Sequence, residues 1–319
     1  MDVYPLKFEP IYKEKIWGGR NLERLFGRKL PPDALIGESW DLADLAEGVS
    51  VVRNGPAKGS TLTDLTEELG PKLLGKTKPT PEGRFPLLLK LLDANDILSL
   101  QVHPDAQAVA RIGPDAAPKT ECWYMVESRD GFIYKGVLPG TTPEQFRRAI
   151  ETDTAETRTR RIECKTGDFH YLPAGTVHAI GSGLVVAEVQ TPSDTTYRVT
   201  DWGRGREIHV ERSMQCIHFE PDVGPIPGAG GDCLLKTEFF EVFLNNFEEG
   251  RRGENVVSGG QCTAWMIVEG RGGTITGDFD EPVEFAAGDT ILIPAALRNL
   301  TVTAAGPGKC LEIVLPENG

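Results

Sequence analysis

Gly167-Asp-Phe-His-Tyr-Leu-Pro-Ala-Gly-Thr-Val-His178 is the stretch whose reading decides the fold. Gly167 and Asp168 suit a tight turn, and Phe169 to Leu172 has the length and side-chain type of a buried strand. Pro173, Ala174 and Gly175 break that strand, and His178 falls on the next one. The break re-aims the chain, so His178 can point into the space the strands enclose. One imidazole is a weak metal signal. Gln101, His103 and Glu121, upstream, offer the rest of a coordination sphere.

Those partners lie on strand-like segments. In Asp96-Ile-Leu-Ser-Leu-Gln-Val-His-Pro104, Ser99, Gln101 and His103 fall two apart and share one face. They alternate with Leu98, Leu100 and Val102, so one face is apolar core and the other lines a cavity. Lys119-Thr-Glu-Cys-Trp-Tyr-Met-Val126 places Lys119 and Glu121 on a common face in the same way. Two imidazoles, one carboxylate and one amide oxygen suit a divalent first-row ion, with zinc the leading choice. Singly, His103 or Glu121 reads as an ordinary satisfied polar group; together, on strands of one barrel, they read as a metal site. His170, His209 and His218 lack such companions and are assigned no role.

A second set surrounds the first. Phe85-Pro-Leu-Leu-Leu-Lys-Leu-Leu-Asp-Ala94 is a nearly continuous apolar run bearing Lys90, and Leu184-Val-Val-Ala-Glu-Val-Gln190 is interrupted by Glu188. A charge in such a strand sits at an edge, snorkels, or is paired at a site. Lys90, Lys119 and Arg198 beside an acidic cage would neutralise an anion, and a phosphate monoester is the natural candidate, with Ser99 on the same strands. Charges in low-dielectric surroundings also shift their neighbours' proton affinities, as general acid–base chemistry requires.

The pattern repeats. Gly288-Asp-Thr-Ile-Leu-Ile-Pro-Ala-Ala-Leu-Arg-Asn299 keeps the glycine-to-proline spacing, with Ala296 in the place of Gly175 and Asn299 in that of His178. Two tandem barrels follow, the second structural because its histidine is gone. The expected division is residues 1–220, with a small helical insertion near 141–161, then a proline- and glycine-rich linker at 221–232, then 233–319. Among local elements, Asn21 to Phe26 reads as a short helix capped by Asn21 and stopped by Gly27. Glu38 to Leu45 alternates like a half-buried strand, Ser60 to Leu69 has helical periodicity, and Thr142-Pro-Glu-Gln opens a capped helix.

At 319 residues, 39% hydrophobic and 25% charged, the chain is long enough for two packed cores. A net charge of −13 argues against nucleic acid, whose phosphates demand a basic face. Arg158, Arg160 and Arg161 are an exception read as a solvated helix face. No apolar run reaches the roughly 18–20 residues of a membrane span, and the N-terminal stretch lacks an export signal, so a cytoplasmic protein is expected. Six scattered cysteines without a Cys-x-x-Cys pair read as buried, reduced thiols; neither a disulfide framework nor a thiolate metal site is expected.

Leu-Ser-Leu-Gln-Val-His-Pro (98–104), Lys-Thr-Glu (119–121), Pro-Ala-Gly-Thr-Val-His-Ala (173–179) and Tyr-Arg-Val-Thr-Asp-Trp (197–202) together resemble type I mannose-6-phosphate isomerases in their short bacterial form. Ile-Trp-Gly-Gly (16–19) and Gly-Glu-Ser-Trp (37–40) support the likeness, which spans nearly the whole chain. The resemblance implies a mainly β fold of two tandem cupin (jelly-roll) barrels. It implies one zinc ion per chain, held by Gln101, His103, Glu121 and His178. It also implies a substrate site of Lys90, Ser99, Lys119, Glu188 and Arg198, with Arg198 the usual catalytic candidate. The implied reaction interconverts mannose 6-phosphate and fructose 6-phosphate through an enediol, with Lys90, Glu188 or a metal-bound group as the base. Two other readings stand beside it: an iron-dependent cupin oxygenase, and a phosphosugar sensor that has lost catalysis. Oligomeric state stays open.

Overall fold

The computed structural model describes residues 2–220, 232–249, 252–254 and 260–317. It is a mainly β protein. Four sheets stack, with a helical layer on one outer side. The front sheet has five strands, in the order Thr159–Glu163, Phe132–Val137, His178–Ile180, Leu100–Val102, Tyr197–Thr200. Facing it is a six-stranded middle sheet, ordered Phe169–Leu172, Glu121–Ser128, Leu184–Gln190, Leu88–Ala94, Ile36–Leu42, Ile11–Gly19. A second six-stranded sheet lies behind it, and a four-stranded outer sheet closes the stack.

Three apolar cores hold the layers together. Ile133 and Ile180 of the front sheet meet Leu92, Trp123, Met125 and Val186 of the middle sheet, forming the floor of the first barrel. The other face of the middle sheet (Leu89, Leu91, Cys122, Val185, Ala187, Val189) packs on Val242, Ala264, Met266, Leu311 and Ile313 of the back sheet. Trp265, Ile267 and Ile291 of the back sheet then meet Ile275, Val283 and Val302 of the outer sheet. The middle sheet is therefore covered on both faces, which is why Leu88–Ala94 and Leu184–Gln190 are buried throughout. The same cover overturns one expectation. Glu38–Leu45, expected to be half-buried, is buried except for Glu38 and Leu45 at its ends, which are partly exposed.

Three helices, Ala106–Ile112, Pro143–Glu151 and Val210–Cys216, cover the front sheet. Pro143–Glu151 begins with a capping box in which Thr142 and Gln145 bond each other's backbone amides, and it buries Phe146, Ala149 and Ile150. Phe146 and Ile150 pack with Ala108, Cys216 and Ile217 behind Leu100, Val102 and Val199. The helical insertion is shorter than expected. After a single 3-10 turn at Ala155–Arg158 the chain returns to the sheet as Thr159–Glu163, so Arg160 and Arg161 lie on a strand rather than a helix face. Arg161 stacks there on the Phe132 ring at 3.8 Å.

Asn21–Phe26 and Leu62–Leu69 are helical, and Gly27 ends the first at φ 62°. Asn21 is its first helical residue, not its cap. Its backbone amide (2.6 Å) and its side-chain amide (2.8 Å) both donate to Asp93, which caps the helix from a neighbouring strand. No helix among the described residues is long and apolar enough to cross a membrane. The linker expected at 221–232 lies, except for its last residue, outside the described residues. The N-terminal strand Leu6–Lys7 pairs with Thr290–Ile293 of the back sheet, so the start of the chain is woven into the C-terminal barrel.

The turn at Gly167 recurs at Gly288. Both glycines have left-handed φ, 92° and 87°, where a side chain would be strained. Asp168 Oδ2 accepts from Lys165 N at 2.7 Å, and Asp289 Oδ2 from Ala286 N at 2.9 Å. The repeat extends inward. Trp123 pairs in register with Glu188 and Glu188 with Lys90; in the second barrel Trp265 pairs with Glu312 and Glu312 with Phe243.

Candidate metal centre and active site

His103 and His178 are each oriented by a backbone carbonyl. His103 Nδ1 lies 2.8 Å from Thr195 O, and His178 Nδ1 2.8 Å from Thr176 O. A carbonyl only accepts, so each Nδ1 carries the proton and each Nε2 presents a lone pair. Glu121 lies between them, with Oε1 3.2 Å from His178 Nε2 and Oε2 3.4 Å from His103 Nε2. All three residues are buried, and His103 Nε2 and both Glu121 oxygens make no hydrogen bond among the described residues. Acceptor atoms turned on one another in a buried interior repel unless a cation lies among them; the Lys119 ammonium meets Glu121 Oε2 alone of these atoms. Nitrogen and oxygen ligands at about 2.0–2.2 Å from a tetrahedral ion stand about 3.4 Å apart. The three residues thus fit a divalent ion.

Gln101 joins them from the next strand, paired in register with His178. Its Nε2 is 3.3 Å from His178 Nε2 and its Oε1 3.4 Å from Ser99 Oγ. An amide can exchange its ends with little change of shape, which would present oxygen to the group.

Protonation states suit ligation. Burial lowers the His103 pKa to about 3, with Lys119 adding to the effect. Burial also lowers His178, against the pull of Glu121. For Glu121 burial acts upward, but Lys119 and the two imidazoles outweigh it and hold the carboxyl well below its usual range. Lys119 Nζ stands 3.1 Å from Glu121 Oε2.

The opposite wall carries an aligned row: Trp123, Glu188, Lys90 and Trp40, in register across four strands of the middle sheet. Lys90 Nζ is 3.1 Å from Glu188 Oε1, 3.8 Å from Glu38 Oε2, and 5.5 Å from the Trp40 ring centre. Trp123 Nε1 donates to Glu188 Oε2 at 2.9 Å. The two carboxyls are driven apart. Burial acts to raise both, but Lys90 and Lys15 pull Glu38 down to about 2, whereas Glu188, facing Glu121 as well as Lys90, stays raised. Trp123 joins the two walls, because its ring meets His178 edge-on at 5.4 Å.

Arg198 pairs in register with Gln101, so Lys135, His178, Gln101 and Arg198 form a row across the front sheet. Lys90, Lys119, Ser99, Glu188 and the metal triad are all buried, while Gln101 and Arg198 are partly exposed. The interior is therefore entered from their side. Arg198 Nη1 lies 3.5 Å from Glu207 O, and the nearby Arg204 and Arg206 are tied to Asp201.

A family model described as the catalytic domain of type I phosphomannose isomerase matches residues 6–126. Mannose-6-phosphate isomerase ManA of Bacillus subtilis (strain 168) is 36% identical over 308 residues, covering 93% of this chain and 95% of that protein. The chain belongs to the type I phosphomannose isomerase family. It is an enzyme. Another relative, named probable mannose-6-phosphate isomerase GmuF, also from Bacillus subtilis, is 38% identical over 76% of this chain and 79% of its own length. The crystal structure of a Bacillus subtilis mannose 6-phosphate isomerase superposes with a TM-score of 0.85 at 30% identity, over 98% of this chain and 99% of the other.

In this phosphomannose isomerase family member His103, Glu121, His178, Gln101, Ser99 and Lys119 meet at one place, Lys90 and Glu188 pair with each other nearby, and Arg198 stands in register beside Gln101. Several neighbours were missed. Lys135 is buried on the face that carries His178; the alternation in Phe132-Ile-Tyr-Lys could have revealed it. Trp123, Trp40 and Glu38 hold the Lys90–Glu188 pair, and the register that aligns them is not visible in a single strand. The carbonyls of Thr176 and Thr195, which orient the imidazoles, carry no sequence signal.

Proposed function

We propose that this isomerase interconverts mannose 6-phosphate and fructose 6-phosphate through an enediol, in the cytoplasm, with one zinc ion held by Gln101, His103, Glu121 and His178. The observation that carries the reading is the convergence, in one buried interior, of the His103, Glu121 and His178 ligand atoms and a buried Lys90–Glu188 pair. Residues 1–220 form the catalytic unit in this proposal. Residues 233–319 are its structural partner, where Thr263 and Asn299 stand in the places of Glu121 and His178.

Zinc, when bound, would polarise the sugar oxygens at C1 and C2. The chain's own residues do the rest. Glu188 moves the proton between C1 and C2 on one face of the sugar. Where two carboxyls in one site are driven apart, the raised one is better suited to giving and taking a proton, and the lowered one, Glu38, stays a fixed counter-charge to Lys90. Lys90 steadies the ionised form of Glu188, and the Trp123 indole fixes its direction. Arg198, at the mouth, offers a planar fork of donors to the phosphate, with Lys119 and Ser99 further in. That remote charge supplies the binding energy that positions the reacting carbons. The iron oxygenase reading finds less support, since an oxygen-activating site has no use for a ring of lysine and arginine.

The test is a coupled assay for fructose 6-phosphate formed from mannose 6-phosphate, with and without chelator. Turnover abolished by chelator and restored by zinc is expected. Turnover indifferent to chelator, or oxygen uptake without isomerisation, would overturn the proposal.

A further inference from the structure

Cys164, Asp168 and His170 form a second cluster, on the rim of the first barrel, sharing no residue with the site above. Cys164 follows the front-sheet strand Thr159–Glu163, and His170 lies on the middle-sheet strand Phe169–Leu172. Their ligand atoms all lie within 4.8 Å of one another. Cys164 Sγ is 3.6 Å from His170 Nε2. A thiolate at about 2.3 Å and an imidazole at about 2.0–2.1 Å from one tetrahedral ion stand about 3.6 Å apart, so this pair needs no rearrangement. The Asp168 carboxylate is aimed by its bond from Lys165 N and retains lone pairs for a metal. Cys164 is buried, while Asp168 and His170 are half-buried, which gives an ion a route from solvent.

The second barrel is an internal comparison. Its matching turn keeps the aspartate, as Asp289, and gives it the same backbone bond. Counted from that turn, Cys164 corresponds to Phe285 and His170 to Ile291, both buried in apolar core. The turn therefore requires the aspartate but not the other two. In the first barrel two apolar core positions hold a soft donor pair at ligand distance instead. A search for Cys-x-x-Cys pairs passes over this arrangement, because its donors are spread over seven residues of mixed type.

We propose that Cys164, Asp168 and His170 bind a second divalent ion of thiophilic character, zinc or a chemical equivalent. On entry the ion replaces the Cys164 thiol proton, which leaves to solvent. The bound ion clips the front sheet to the middle sheet beside Trp123, the direct cross-strand partner of His170.

The test uses the full chain, stripped by chelator and titrated with cobalt(II). The catalytic ligands proposed above contain no sulfur, so a thiolate-to-cobalt charge-transfer band reports the rim site alone. Two equivalents of cobalt and such a band are expected. His178→Ala should keep the band while losing one equivalent. Cys164→Ser should abolish the band and halve the bound metal. His170→Gln, at a half-buried position, should weaken cobalt binding at the band by about tenfold or more without disturbing the buried thiol. Absence of the band in the wild type, or a band that survives Cys164→Ser, would overturn the proposal, whatever happens at the catalytic centre.

Discussion

Replacing Lys90 by methionine, a side chain of similar length without charge, should change both the stability of the protein and its sign with pH. Lys90 is buried between Glu188 and Glu38. In the wild type Glu38 is held at about 2, below its ordinary 4.5. Its contribution to stability is therefore present above pH 4.5 and is lost as pH falls toward 2; at about 1.4 kcal/mol per tenfold it amounts to about 3 kcal/mol. Without Lys90, Glu188, already raised by burial, rises further, while Glu38 loses its largest lowering partner and keeps Lys15 and the Trp40 indole. Groups raised in this way favour folding below their unfolded pKa and oppose it as pH climbs through the folded one. Breaking a buried ion pair from one side costs about 3–5 kcal/mol, and that loss should appear in full near pH 8 and shrink toward pH 4.5. Urea unfolding of the metal-free protein at the two pH values measures it. A loss that is the same at both, or under about 1 kcal/mol at pH 8, would refute the reasoning.

Arg198→Ala should reduce turnover by about 100-fold or more while metal content, read by elemental analysis, stays full, because Arg198 is placed to meet substrate and not metal. Glu188→Gln should lower kcat by about 10²–10⁴ and leave KM within a few-fold, as expected for loss of a proton carrier; an equal loss in KM would assign Glu188 to binding instead. In metal-free protein His103, held neutral down to about pH 3, should make stability fall as pH drops from 6.5 toward 3, and metal loading should delay that fall. Thr142→Ala removes the cap of Pro143–Glu151 and should cost about 1 kcal/mol in thermal unfolding, with activity kept.

The strands that carry the site were legible because their polar residues recur at a spacing of two. Ser99, Gln101 and His103 announce a lined face, and Glu188 and Lys90 stand out in apolar runs. Their meeting was legible only in outline, since register between strands is set by pairing across the sheet. Glu188 faces Lys90 and Trp123 because of that register, and neither strand alone encodes it. Burial on both faces of the middle sheet was also hidden, because the back sheet that covers it comes, apart from Leu6–Lys7, from residues beyond 232. The Asn21 cap was misread for a related reason: the side chain that caps the helix is Asp93, 72 positions away. Arg160 and Arg161 were assigned to a helix because the preceding capped helix was easy to see, while the return to the sheet at Thr159 bears no turn signal.

The central claim is that His103, Glu121 and His178 grip one metal ion on which turnover depends. Its most direct test is the metal content of His178→Ala beside that of the wild type, with isomerase activity measured on the same samples. The variant should hold one equivalent less metal and show no turnover. Unchanged metal content, or turnover that persists after the equivalent is lost, would contradict the account.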